Sequence, residues 1–262
     1  MTHDLNIITT GPSDGPPLLL IHGAWHGAWC WQDTYAQAFA ESGFYTHSLD
    51  LRGHGNRPAV KSMRWNRIRD YVDDAAATIA AMPSPPIVIG HSMGGFITQH
   101  LMARGTPMRG AGLLASLPHS GALPVALKTL RQRPLTFLRI LTHASLYPMV
   151  QGPAYAAHLF LDADTPAPEK AAFHAQLTDE SFLGFLDMTA LALPRKPVAP
   201  PPVCVVGGAL DQIFPPKSQH RLARRFNTTA HIIPDAPHNL MLSKHWRASF
   251  DIFLTWARAL PT

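Results

Sequence analysis

The chain has 262 residues, 46% hydrophobic and 15% charged, which is enough for one sizeable core, too little for two, and too apolar for a disordered polymer. Its net charge of +5 comes from 22 lysines and arginines scattered singly or in pairs, as in RWNRIR and LARRF, so nucleic acid is not expected as a partner. No apolar run approaches membrane-spanning length, and MTHDLNIITTGPSDG at the start has neither the charged nor the apolar stretch of a secretory leader, so no stable membrane insertion and a cytoplasmic location are expected.

The apolar runs LLLI (18–21) and YTHSL (45–49) have strand length. Ile68, Tyr71, Val72, Ala75, Ile79 and Met82 then recur at the spacing that puts them on one face of a helix. IVIG (87–90) reads as the next strand, MGGFITQHLMARG (93–105) as a helix stopped by Gly105, and GLLA (112–115) as a further strand. From Ser116 to Pro201 the rhythm breaks, because this interval far exceeds the dozen or so residues that a crossover needs. It holds helical patterns of its own: DTPAPEKAAFHAQL (164–177), with Thr165 as N-cap and Pro166 at the first helical position, and TDESFLGFLDMTAL (178–191). LTFLRILTHASLYPMV (135–150) and SFLGFLDMTALAL (181–193) each carry an apolar face that could be buried over Ser92. VCVV (203–206) and HIIP (231–234) resume the strands, and Trp246, Phe250, Phe253, Leu254 and Ala257 mark a closing helix. Continuous apolar strands alternating with helices predict an α/β fold, a mostly parallel sheet flanked by helices. The core is expected over 1–117 and 198–262, with a helical lid inserted at 118–197.

VIGHSMGGF (88–96) sets Ser92 between glycines where a strand turns into a helix. Small residues are common at such turns, and a lone G-x-S-x-G string occurs by chance, so the context decides. Gly90 and Gly94 suit a turn so tight that strand and helix backbones nearly touch, which pushes the serine hydroxyl into the cleft above the strand ends. A serine hydroxyl needs a base, and the base needs an acid to fix its tautomer. Asp211 after VCVVGGAL and His238 after HIIPDAP supply both, in the order Ser, Asp, His, each at the C-terminal end of a strand. Singly, Asp211 could be a turn residue and His238 a helix cap. Asp235 is a rival acid, but three residues from His238 on the same loop it is poorly placed to reach the far ring nitrogen. Attack on a carbonyl also leaves an oxyanion that needs two donors. The N–H of Met93 at the helix start offers one, and that of Ala24 in the loop of LLLIHGAW the other, with Trp25 as its alternative. His22 reads as a residue that holds this loop.

HGAWHGAWCW, LDLRGHG, GHSMGG, GGALDQIFPP and DAPHNLML together resemble the α/β-hydrolases of the lidded esterase and lipase kind, over nearly the whole chain outside the lid. HGAWHGAW is similar to plant methylesterases and hydroxynitrile lyases, and LDLRGHG to lysophospholipase and monoacylglycerol lipase relatives. The resemblance implies the α/β-hydrolase fold with the helical lid inserted after strand 6. It also implies a serine hydrolase that cleaves carboxylic esters of small to medium size through an acyl-enzyme, without a cofactor. Departures narrow the field. Dehalogenases and epoxide hydrolases use an aspartate where this chain has Ser92; hydroxynitrile lyases have threonine and lysine where it has Gly23 and Asn239; carbon–carbon bond hydrolases have asparagine and tryptophan where it has His91 and Asn239. The alternatives are a lactonase or thioesterase with the same triad, or a lyase or ligand-binding relative that reuses the pocket.

Trp25, Trp29 and His91 are candidates to line the substrate pocket, with wall and core packing as the bland reading. Asp50 and Arg52 read as a structural pair at a strand end. The 15 histidines include no H-E-x-x-H, so no metal site is expected, and Cys30 and Cys204 sit in unrelated contexts and are expected to be reduced. The expected partner is a small-molecule ester, and the oligomeric state is left open.

Overall fold

The computed structural model describes residues 6–57 and 62–261; residues 1–5, where the start expected to lack a leader and the expected core begin, lie outside it, as do 58–61 and Thr262. One sheet holds β1 (Asn6–Thr10), β2 (Pro17–Ile21), β3 (Tyr45–Asp50), β4 (Ile87–His91), β5 (Gly110–Leu114), β6 (Val203–Gly208) and β7 (Ala230–Ile233), in the order β1-β3-β2-β4-β5-β6-β7. Every neighbouring pair is parallel except β1 with β3. The apolar runs did not predict β1, whose NIITT is a partly buried edge strand of mixed polarity.

The helices are α1 (Gln37–Glu41), α2 (Ile68–Ala80), α3 (Met93–Ala103), α4 (Leu123–Gln132), α5 (Pro134–His143), α6 (Pro153–Phe160), α7 (Ala167–Ala175), α8 (Phe182–Leu186), α9 (Pro216–Arg225) and α10 (Trp246–Arg258). Side chains alternate across a strand, so apolar continuity along β2 and β4 feeds a core on each face of the sheet. Leu18, Leu20, Ile87 and Ile89 pack with Phe39, Phe250 and Phe253 on one face. Leu19, Ile21 and Val88 pack with Tyr71, Val72, Phe96 and Ile97 on the other. Each such side chain contributes about 1.5–3 kcal/mol on burial, which makes the sheet a stiff base for the loops at its strand ends.

The long interval leaves the sheet after β5 and returns at β6, so among the described strands it follows the fifth in chain order and not the sixth. It carries α4 to α8. Two helix starts differ from the expected ones. Pro166 is extended and precedes α7, which opens at Ala167, while the Thr165 N–H donates to the Asp162 carbonyl instead of that residue capping the helix. α8 opens only at Phe182, capped by Ser181 Oγ, which accepts from the Gly184 N–H at 3.1 Å. Thr178 and Glu180 before it bond instead to residues of the sheet's loops and of α2. The Thr178 N–H donates to the Trp25 carbonyl at 3.0 Å. Glu180 accepts from His54 Nε2 at 3.0 Å and from the Tyr71 hydroxyl at 2.9 Å. One turn beyond, Asp187 pairs with Arg67 and accepts from the Ile68 N–H at 3.1 Å.

Asp50 and Arg52 prove structural, but each with another partner. Asp50 accepts from the Ala28 N–H and Asn6, while Arg52 binds Asp74 through Nε at 2.8 Å. Cys30 and Cys204 are both free and buried. Among the described residues no helix is long and apolar enough to cross a membrane, and no group of three or more metal-ligating side chains comes together.

Candidate active site

Ser92 occupies the single residue between β4 and α3, with φ 54° and ψ −115°. A side chain in that left-handed region costs about 1–3 kcal/mol and persists only where its surroundings impose it. They do so here through the backbone: the Ser92 N–H donates to the Leu114 carbonyl at 3.0 Å, and its own carbonyl accepts from the Leu117 and Phe96 N–H groups. The space around the turn is equally constrained. A Cβ on Gly94 would strike the carbonyls of Ile21 and His22, and one on Gly90 the carbonyl of Gly94. The hydroxyl of Ser92 is thereby turned toward a cavity of about 70 Å³.

That cavity has an apolar wall. Ala24, Trp25 and Leu117 come from the loops at the strand ends, Met93 from the first position of α3, Ile213 and Phe214 from the loop after β6, and Val125, Ala126, Phe137, Ile140 and Met188 from the interval between β5 and β6. The apolar faces of α4 and α5 are thus split: these inner residues meet the cavity, while Leu127, Leu135 and Leu138 are exposed on the outside.

Asp211 and His238 come together beside it, from the loops after β6 and β7. His238 Nδ1 donates to Asp211 Oδ2 at 2.8 Å, with both side chains fully buried. The other carboxylate oxygen accepts the N–H groups of Ile213 and Phe214, each at 2.8 Å, which fixes its orientation. His238 Nε2 is buried and bonds no protein atom, so no hydrogen bond joins it to Ser92. Asp235 is exposed, at φ 56° in its turn, and has no part in this pair.

The loop after β2 faces the serine: a Cβ on Gly23 would stand 2.9 Å from Ser92 Cβ. Its three successive carbonyls are each held by a donor. His22 Nε2 accepts from the Leu51 N–H, so its proton lies on Nδ1 and goes to the Gly23 carbonyl at 2.8 Å. His26 Nδ1 reaches the Ala24 carbonyl at 2.6 Å, and Thr178 holds that of Trp25. With those carbonyls engaged, the N–H groups of Ala24, Trp25 and Met93 find no protein acceptor among the described residues. Trp25 itself sits at φ 64°, a second strained residue facing the same cavity. Burial lowers His22 to about 4 and His26 to about 3, so both rings are neutral over the physiological range.

Two residues expected in the pocket stand outside it. His91 is fully buried beneath the cavity, where its Nε2 donates to the His238 carbonyl at 3.2 Å, and burial drives its pKa well below the ordinary range. Trp29 stacks on His26 with ring centres 5.4 Å apart and packs against Phe173. Trp25 does line the wall. Sequence reasoning assigned no role to Ile213, Phe214, Thr178, His26 or Asn239; all but Thr178 lie within the motifs GGALDQIFPP, HGAWHGAWCW and DAPHNLML.

A model of the Alpha/beta hydrolase family matches residues 18–251. Mouse protein phosphatase methylesterase 1 is 35% identical over 133 residues, which are 48% of this chain and 34% of that protein. The chain thus spans about a third of the length of the curated relatives it matches. Among solved structures, a monoacylglycerol lipase from Paleococcus ferrophilus superposes with a TM-score of 0.72 at 18% identity, covering 97% of this chain and 98% of that one. The methylesterase MES16 from Arabidopsis superposes at 0.70 and 19% identity, covering 94% of this chain and 100% of that one. At these identities the likeness is one of fold.

Proposed function

Since the chain belongs to the alpha/beta hydrolase family, we propose that it is a serine hydrolase of carboxylic esters, acting through an acyl-enzyme on Ser92. In this reading the Ser92 hydroxyl attacks the ester carbonyl while His238 Nε2 takes its proton. Asp211 keeps the imidazole in the Nδ1–H tautomer and stabilises the imidazolium. The oxyanion is received by the Met93 and Ala24 N–H groups, or by Trp25 in place of Ala24. His238 returns the proton to the departing alcohol, and a water molecule repeats the sequence to release the acid. What supports the reading is the buried 2.8 Å pair of His238 and Asp211, together with a serine held in a strained strand-to-helix turn at the end of β4. A serine-directed phosphonate tests it: the expected result is one covalent adduct, on Ser92, and an adduct elsewhere refutes the assignment. Lactones and thioesters would pass through the same intermediates, and turnover of each against a matched open-chain ester ranks the three classes.

We read residues 118–197 as the lid of this enzyme and its apolar inner residues as the acyl wall, because α4 and α5 contribute Val125, Ala126, Phe137 and Ile140 to the cavity of Ser92. Each methylene buried there gains about 0.8 kcal/mol, or roughly fourfold in specificity, until the space is full. Specificity should therefore rise from acetyl to butyryl esters and fall by palmitoyl, with octanoyl marking where the small cavity ends. A steady fall from acetyl upward would rule out the lid-lined acyl pocket while leaving the triad untouched.

A further inference from the structure

Asn239 follows His238 directly, but its side chain turns away from that pair, fully buried, and meets the loop after β2. Asn239 Nδ2 lies 2.9 Å from His26 Nε2, and His26 Nδ1 lies 2.6 Å from the Ala24 carbonyl. The chemistry fixes every proton along this line. A carbonyl oxygen can only accept, so Nδ1 carries the imidazole proton. Burial leaves the ring one proton, so Nε2 offers a lone pair, and the amide of Asn239 donates to it. Trp29 stacks on the ring and Phe160 and Phe173 close its edges, so it has no freedom to turn.

We propose that Asn239 and His26 are positioning residues that hold the Ala24 peptide in its working orientation. Asn239 selects the Nδ1–H tautomer of His26, and that proton holds the Ala24 carbonyl away from the reacting oxygen, so that the N–H of the same peptide, that of Trp25, faces it. The loop that binds the oxyanion is thereby tied to the loop that supplies the base. This rests on the reading of Ala24 and its neighbour as oxyanion donors given above. A loop whose residue 25 is strained needs such a restraint, because relaxation of Trp25 would turn the adjoining peptide.

Two replacements of His26 separate positioning from mere packing. An asparagine there can put an amide N–H where Nδ1 stood, whereas a glutamine reaches only the place of Nε2. His26→Gln should lower kcat by on the order of 10² to 10³ with KM changed by less than about threefold, since the oxyanion exists only in the transition state. His26→Asn should stay within about tenfold of the parent. Parent-like kcat in His26→Gln, a loss confined to KM, or equal losses in the two variants would overturn the proposal. If Ser92→Ala were to retain activity, the proposed mechanism would fail; if it is dead while His26→Gln is fully active, only the positioning role fails. Should His26→Gln not fold, the parent chain gives the answer by itself. In ¹⁵N-histidine-labelled protein at neutral pH, the His26 ring, assigned from the signals missing in His26→Asn, should show a protonated Nδ1 and an unprotonated Nε2. The opposite tautomer would overturn the proposal.

Discussion

Replacing Ser92 with alanine is expected to lower ester turnover by a factor on the order of 10⁴ to 10⁶ while leaving the fold intact. Removing one hydroxyl does not relieve the strain at φ 54°, because that strain belongs to the backbone and is imposed by the Leu114, Leu117 and Phe96 hydrogen bonds. Alanine has the same Cβ and keeps them all. What disappears is the atom that attacks, and none of the other residues lining the cavity has a nucleophile to replace it except Thr129, whose hydroxyl is spent on the Val125 carbonyl one turn back in α4. Steady-state hydrolysis of a soluble chromogenic ester, with the melting temperature of both proteins as a control, decides the matter. Activity within tenfold of the parent would remove Ser92 from the mechanism.

The second large effect concerns the acid. Asp211→Asn should cost roughly 10⁴ in kcat, since an amide nitrogen toward His238 would favour the wrong imidazole tautomer. Asp235→Asn should cost less than about tenfold, because Asp235 is exposed and outside the pair. The two variants differ from the parent by the same chemical change, three residues and 27 residues from His238, so their ratio isolates position from charge. Equal losses would mean that the carboxylate acts at a distance and not through the 2.8 Å bond.

Much of this arrangement was legible because local sequence dictates it. Gly-His-Ser-Met-Gly between an apolar run and a helical pattern leaves one backbone solution, and Asp211 and His238 each follow an apolar strand by a few residues. The edge strand β1 was illegible because half of its surface faces no core, so NIITT lacks the apolar continuity of the others. The start of α8 was illegible for another reason. Thr178, Glu180 and Ser181 suit a helix, but their polar groups are drawn to Trp25, His54 and Asn66, partners 153, 126 and 115 residues away. Asn239 and His26 stand 213 residues apart. Hydrogen bonds over such separations leave no period and no motif, and only the folded chain brings them together.

The bond between Glu180 and His54 also makes the attachment of the interval answer to protons. Burial works against the charge on His54, but the Glu180 carboxylate and its hydrogen bond outweigh this and hold the imidazole above its ordinary 6.5. Burial works against Glu180 as well, and the charge and hydrogen bonds around it, from His54, the Ser181 N–H and Tyr71, hold it below its ordinary 4.5. For His54 the folded value is the higher one, so its stabilisation is complete below about pH 6.5 and is lost as pH rises through that raised value. For Glu180 the folded value is the lower one, so its stabilisation is complete above about pH 4.5 and is lost as pH falls through it. The contribution of this pair should therefore be largest in mildly acid solution, so the excess melting temperature of the parent over Glu180→Gln should be widest there and narrow as the solution turns alkaline. A gap that stays constant from about pH 5 to 9 would show that the pair is held by packing alone. Loss of the His54 charge is thereby expected to loosen the stretch that grips the Trp25 carbonyl.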